Sequence, residues 1–105
     1  MRIKTVSGAT GSVSDIEYRD ITLRGITNYG IVIQQDYLNG HPTGKPTSGV
    51  PITNVRLNNV KGTIEYNALP KYILCAACSN FTFTNVAITG GKASKCVGLP
   101  KGSSC

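Results

Sequence analysis

Three segments of the chain spell one pattern: Asp15-Ile16-Glu17-Tyr18-Arg19-Asp20-Ile21, Asn54-Val55-Arg56-Leu57-Asn58-Asn59-Val60 and Asn80-Phe81-Thr82-Phe83-Thr84-Asn85-Val86. In each, Asp or Asn is followed by apolar, any, apolar, any, a second Asp or Asn, and a final apolar residue. An internal repeat of this kind constrains the fold strongly, because a unit too small to bury its own apolar side must stack on its copies. Alternation places Ile16 with Tyr18, Val55 with Leu57, and Phe81 with Phe83 on one side of a strand, and puts Asp20, Asn59 and Asn85 at a bend. Each copy therefore reads as strand, corner, strand. A further apolar run precedes each copy, at Arg2 to Thr5, Gly30 to Gln34 and Tyr72 to Leu74.

The second copy starts 39 residues after the first and the third 26 residues after the second. The longer interval holds Asn39-Gly40-His41-Pro42-Thr43-Gly44-Lys45-Pro46-Thr47-Ser48-Gly49, a run of turn formers that reads as a protruding loop without regular structure. With that loop set aside, the intervals describe stacked coils of similar size. The expected fold is all-β: a parallel β-solenoid of about three coils, with successive strands ~4.8 Å apart. A recurring Asn at the bend can link coils through a ladder of side-chain hydrogen bonds. An antiparallel sandwich with coincidental Asn residues is the competing architecture, and the repeat disfavours it. Twelve Gly, no Trp and many β-branched residues argue against helical bundles, and 105 residues allow a single domain spanning 1–105. A stack opening at Arg2 leaves unpaired strand edges at its N-terminal end, so the solenoid is expected to be truncated there. The Cys96 to Cys105 tail reads as a pinned terminus closing the other end.

Eleven Lys plus Arg against five Asp plus Glu give a net charge of +6. An acidic partner is favoured: nucleic acid, anionic lipid or acidic polysaccharide. No apolar run approaches the ~20 residues of a bilayer span, so no membrane insertion is expected. Four cysteines in the last third of so short a chain suggest two disulfides and an oxidising, extracellular destination. No apolar signal segment follows Met1. The expectation is that a signal and more have been removed, or that Met1 caps a truncated piece of a longer secreted protein.

Several runs are specific enough to name a family: Arg2-Ile3-Lys4-Thr5, Ser7-Gly8-Ala9-Thr10-Gly11, Tyr29-Gly30-Ile31-Val32-Ile33-Gln34-Gln35-Asp36-Tyr37, Pro42-Thr43-Gly44-Lys45-Pro46-Thr47, and the two cysteine pairs. Across essentially its whole length the chain resembles the C-terminal portion of the fungal endopolygalacturonases, family 28 glycoside hydrolases. The resemblance implies a right-handed parallel β-helix and hydrolysis, with inversion, of the α-1,4 bonds of polygalacturonate in plant cell walls. It implies no cofactor and no metal. Its partners would be pectin or oligogalacturonates and plant inhibitor proteins, with neither nucleic acid nor membrane.

The family's catalytic segments, Asn-Thr-Asp, Asp-Asp and Gly-His-Gly, are absent here. Inverting hydrolysis needs an acid and a base carboxyl about 6.5–9.5 Å apart. The available Asp15, Glu17, Asp20, Asp36 and Glu65 do not spell such a motif, so no catalytic residue is expected in this chain. Substrate binding is expected instead. Arg2 and Lys4 alternate on a strand and point outward together, Arg offering a bidentate fork and Lys a point charge to a galacturonate carboxylate. Both match basic positions that bind substrate in the family. Tyr37 matches a cleft tyrosine one coil along, whose face suits a sugar ring. The family pairs Cys75 with Cys78 and Cys96 with Cys105.

Asp36 is expected to hold the adjacent loop, and His41 to be an exposed loop residue. Cys75-Ala76-Ala77-Cys78 is weak evidence for a redox pair or half a zinc site. Asn80-Phe81-Thr82 is an N-glycosylation acceptor triplet whose use depends on Asn80 reaching solvent. Three functional readings follow: part of a secreted pectin hydrolase, a non-catalytic secreted effector or pectin-binding module derived from one, and a basic nucleic-acid binder. The last is poorest, since the lysines are scattered and aromatics are few.

Overall fold

The structure is a computed structural model that describes residues 1–105. It contains strands and turns and no helix: β1 (Arg2–Val6), β2 (Val13–Ile26), β3 (Tyr29–Leu38), β4 (His41–Pro42), β5 (Ile52–Ile64), β6 (Leu69–Leu74), β7 (Cys78–Thr89) and β8 (Lys95–Val97). The three repeat copies lie in β2, β5 and β7, which form one parallel sheet in that order. The preceding apolar runs form a second parallel sheet in the order β1-β3-β6-β8. The chain passes from one sheet to the other and back, each strand landing beside its predecessor in that sheet, and this is a parallel β-helix. No helix is long and apolar enough to cross a membrane.

The register follows the repeat residue by residue. Ile16 pairs with Val55 and Val55 with Phe81; Tyr18 pairs with Leu57 and Leu57 with Phe83. Side chains pointing inward from both sheets make one core, with Val55, Leu57, Ile31, Ile33, Ile73 and Phe81 at its centre. Ile16 and Tyr18, in the outermost strand, are half-buried. The loop expectation needs one correction. His41 and Pro42 make a short antiparallel bridge, Pro42 opposite Tyr37 and His41 opposite Leu38, on the chain segment that runs back along β3. A proline fits there because the position lies at the margin of the sheet. His41 is exposed, as expected.

The bends are more numerous than the alternation indicates. Asp20, Asn59 and Asn85 turn the chain, and so do Asp15, Asn54 and Asn80 at the start of each copy, all with φ between 53° and 66°. Few side chains tolerate this left-handed region, and Asn and Asp are foremost among them. Both sets form ladders. Asn59 donates to Asp20 at 2.7 Å and Asn85 to Asn59 at 2.9 Å, while Asn54 donates to Asp15 and Asn80 to Asn54. Asn59→Ala removes two ladder bonds and places a β-carbon residue with no local hydrogen bond in a conformation costing roughly 1–2 kcal/mol. Urea unfolding is expected to show a loss of about 2 kcal/mol for Asn59→Ala and a smaller one for Asn59→Gly, which relieves the backbone term. Equal losses would mean that conformation contributes nothing.

At the C-terminal end the tail covers the core but adds no strand to β7. Leu99 packs on the core, and Cys96 is bonded to Cys105 as Cys75 is to Cys78. Lys71 occupies the inward position beneath Ile31, is buried, and donates its Nζ to the main-chain oxygens of Ser104 at 2.9 Å and Cys105 at 3.2 Å. Burial lowers its pKa from 10.5. The unfolded chain then holds more protons than the folded one between the lowered value and 10.5, so stability rises with pH across that window, and the full cost of the buried charge applies below it. Lys71→Met is expected to flatten this alkaline rise. A difference between the two proteins that stays constant over a pH series of denaturant titrations would refute it.

Candidate functional site

Along β1, Ile3 and Thr5 are buried while Arg2, Lys4 and Val6 face out. The strand alternates because its inner side lies on β3, with Ile3 against Ile33. On the outer side Lys4 lies beside Gln34. From Lys4 to Val6 the pairing partner advances from Gln34 to Tyr37, so β3 contains one more residue than β1 over this stretch. This is a β-bulge, and it turns Tyr37 onto the outer face with Val6 and Lys4. Strict alternation from Gln34 would have sent Tyr37 to the other side.

The result is a contact: the Lys4 Nζ lies 3.8 Å from the centre of the Tyr37 ring. Tyr37 donates its hydroxyl to the Gly40 carbonyl at 2.8 Å, which fixes the ring. Its oxygen keeps lone pairs for accepting. Asp36, fully buried, accepts Gln34 Nε2 on one carboxylate oxygen at 2.9 Å and the Gly44 amide on the other at 2.7 Å, and its carbonyl takes the Thr43 amide. It holds the loop, as the sequence reading expects. Gln35, also fully buried, accepts the Ala76 and Ala77 amides and donates to the Val50 and Ala77 carbonyls.

The outer face continues beyond the residues that the sequence singles out. Arg2 lies beside Val32, Val32 beside Tyr72, and Tyr72 beside Lys95, one row straight across four strands. Tyr29 packs on Tyr72 with ring centres 5.1 Å apart, and the Lys95 Nζ lies 5.8 Å from the Tyr72 ring. Burial foremost, then the nearby Asp36 and Tyr29, push the Tyr72 hydroxyl above the usual tyrosine range, so it stays protonated. Sequence reading counts Tyr72 in an apolar run and misses its place here. The signal that could have found it is register: Tyr72 stands where Val32 and Arg2 stand in the rungs before.

Charge on this face is unbalanced. The two ion pairs of the molecule join Glu17 to Arg19 and Arg56 on the other sheet, leaving Arg2 and Lys4 without a carboxylate partner. Three of the other four acidic residues are committed. Asp15 and Asp20 end the ladders, Asp36 holds the loop, and Glu65 lies just after β5. A shallow hollow of about 250 Å³ lies among Asp15, Glu17, Asn54 and Arg56, away from the basic face. Its carboxylates are engaged by Asn54, Arg19 and Arg56. No three His, Cys, Asp or Glu side chains converge.

The outer face of this parallel β-helix thus sets Arg2 and Lys4, neither paired with a carboxylate, beside the rings of Tyr37, Tyr29 and Tyr72. The chain belongs to the glycosyl hydrolases family 28, whose sequence model it matches over residues 1–105. It is 64% identical over 106 residues to an endo-polygalacturonase of Sclerotinia sclerotiorum, covering 100% of this chain and 28% of that protein. It is 60% identical over 104 residues to endopolygalacturonase 1 of Colletotrichum lindemuthianum, covering 98% and 29%, and 59% identical over 108 residues to a polygalacturonase of Penicillium griseoroseum, covering 100% and 29%. The chain thus spans less than a third of the length of these relatives.

Proposed function

We propose that this chain is the C-terminal part of a pectin-degrading endopolygalacturonase and supplies one wall of its substrate cleft. Arg2, Lys4 and Tyr37 bind galacturonate units there. The carrying observation is the Lys4 ammonium seated on the Tyr37 ring, with Arg2 on the same outward face and no carboxylate partner for either cation. A galacturonate unit has the complementary parts: a carboxylate for the cations, an apolar ring face for tyrosine and hydroxyls for the tyrosine oxygen. Hydrolysis of the α-1,4 bond by inversion requires an acid and a base carboxyl outside these 105 residues. The protein is secreted, in keeping with its two disulfides. Plant inhibitor proteins are further partners in this reading.

Titration of the chain with a galacturonate oligomer tests the assignment. Binding is expected to weaken steeply from low to moderate salt, because exposed charges are screened. Arg2→Ala should cost about tenfold in affinity and Lys4→Ala less, since a bidentate fork is lost in one case and a point charge in the other. A reducing-end assay on polygalacturonate should detect no turnover. Affinity indifferent to both substitutions would refute the binding assignment, and turnover abolished by changing Asp15, Asp20 or Asp36 would place the chemistry elsewhere.

A further inference from the structure

Asn80-Phe81-Thr82 is the one Asn-x-Ser/Thr triplet in the chain, and the fold leaves its chemistry free. Asn80 and Thr82 are exposed while Phe81 points into the core. β7 is the outermost strand of its sheet, so Asn80 has a ladder neighbour on one side only. The polarity of that ladder is set at its far end. The Asp15 carboxylate, when ionised, can only accept, so Asn54 turns its nitrogen to Asp15 and its oxygen to Asn80, and Asn80 donates Nδ2 to that oxygen at 3.2 Å. A primary amide has two N–H groups, and the ladder uses one. The Thr82 hydroxyl makes no hydrogen bond within the chain.

We propose that Asn80 is an N-glycosylation site, carrying an oligosaccharide that leaves the Asn54–Asn80 ladder bond intact and shields the unpaired edge of β7. Nδ2 forms a bond to the anomeric carbon of an N-acetylglucosamine-ended oligosaccharide. The bond from that carbon to the diphosphate oxygen of a lipid-linked donor breaks, the lipid diphosphate leaves with the electron pair, and one amide proton passes to a base of the transferring enzyme. The remaining N–H still donates to Asn54. An unpaired strand edge is a template for a second chain, and a hydrated glycan at its start hinders that approach. The site is on the sheet that does not bear Arg2, Lys4 and Tyr37, so it leaves the basic face open. This inference is independent of the pectin assignment.

The test is secretion of the full 105-residue chain from a yeast, followed by intact mass before and after peptide-N-glycosidase. The wild type and Thr82→Ser should carry one removable glycan and Thr82→Ala none. Thr82→Ala keeps the ladder amide whereas Asn80→Gln displaces it, so melting should rank the wild type at or above Thr82→Ala, and both above Asn80→Gln. In sedimentation Thr82→Ala should form larger species than the wild type at equal concentration. A wild type with the mass of the bare chain, or a glycan that survives Thr82→Ala, overturns the site. Melting of the glycosylated protein at the level of Asn80→Gln overturns the retained ladder bond, and identical sedimentation overturns the shielding.

Discussion

Phe81→Ala is expected to cost about 3–5 kcal/mol, the range for removing a fully buried aromatic ring from a close-packed core. A single domain of this size has about 5–15 kcal/mol in total, so the variant would lie close to unfolding. Phe81 is 1% exposed, sits in register beneath Val55, and stacks on Phe83 with ring centres 6.1 Å apart. Neighbours held in adjacent rungs cannot easily collapse into the space, because each strand is hydrogen-bonded along its length. Ile16→Ala is the internal comparison: Ile16 has the same repeat position but lies half-buried in the outermost strand. Its loss should be clearly smaller. Denaturant titration of both variants checks the order, and an Ile16→Ala cost equal to that of Phe81→Ala would contradict a core centred on the lower rungs.

Gln35→Leu should be nearly as damaging, although it exchanges a polar side chain for an apolar one of similar size. The Gln35 oxygen accepts from the Ala76 and Ala77 amides at 2.7 and 2.8 Å, and its nitrogen donates to Val50 and Ala77 carbonyls at 2.9 and 3.2 Å. Leucine strands both amides of the Cys75–Cys78 turn away from water. Each stranded group costs about 1–3 kcal/mol, which gives an expected loss of about 3 kcal/mol or more. Gln35→Glu should recover part of it, since a carboxylate accepts from both amides but faces the two carbonyls without a proton. Thermal melts of the two variants decide the matter. A Leu variant more stable than the Glu variant would show that the polar network is dispensable.

The parts of the fold legible from residue order are those governed by local periodicity. Alternation in Asn54 to Val60 and its copies gives the strands and the bend at Asn59, and repetition gives the stacking, because identical short units have only one another to bury against. The outward direction of Arg2 and Lys4 follows from the same period of two. The second bend, at Asp15, Asn54 and Asn80, is not marked by the alternation, since a left-handed residue can sit within a strand ladder without ending it. Family resemblance, and not spacing, supplied the cysteine pairing that the structure contains.

What residue order could not supply is whatever depends on a partner far along the chain. Gln34, Gln35 and Asp36 spell a polar stretch typical of a surface strand, and they are buried only because the loop and the Cys75–Cys78 turn close over them with matching amides. Lys71 looks like a solvent lysine and lies inward because the C-terminal tail brings two main-chain oxygens to its amine. Tyr37 stands over Lys4 because a bulge in β3 reverses the parity that its position in the strand implies. The repeat, the strands and the outward direction of the basic residues were legible in residue order, because all are set by steric period within a few residues. Tertiary structure alone decided which polar groups are inside and which aromatic rings join the basic face, because hydrogen-bond satisfaction and register are relations between rungs.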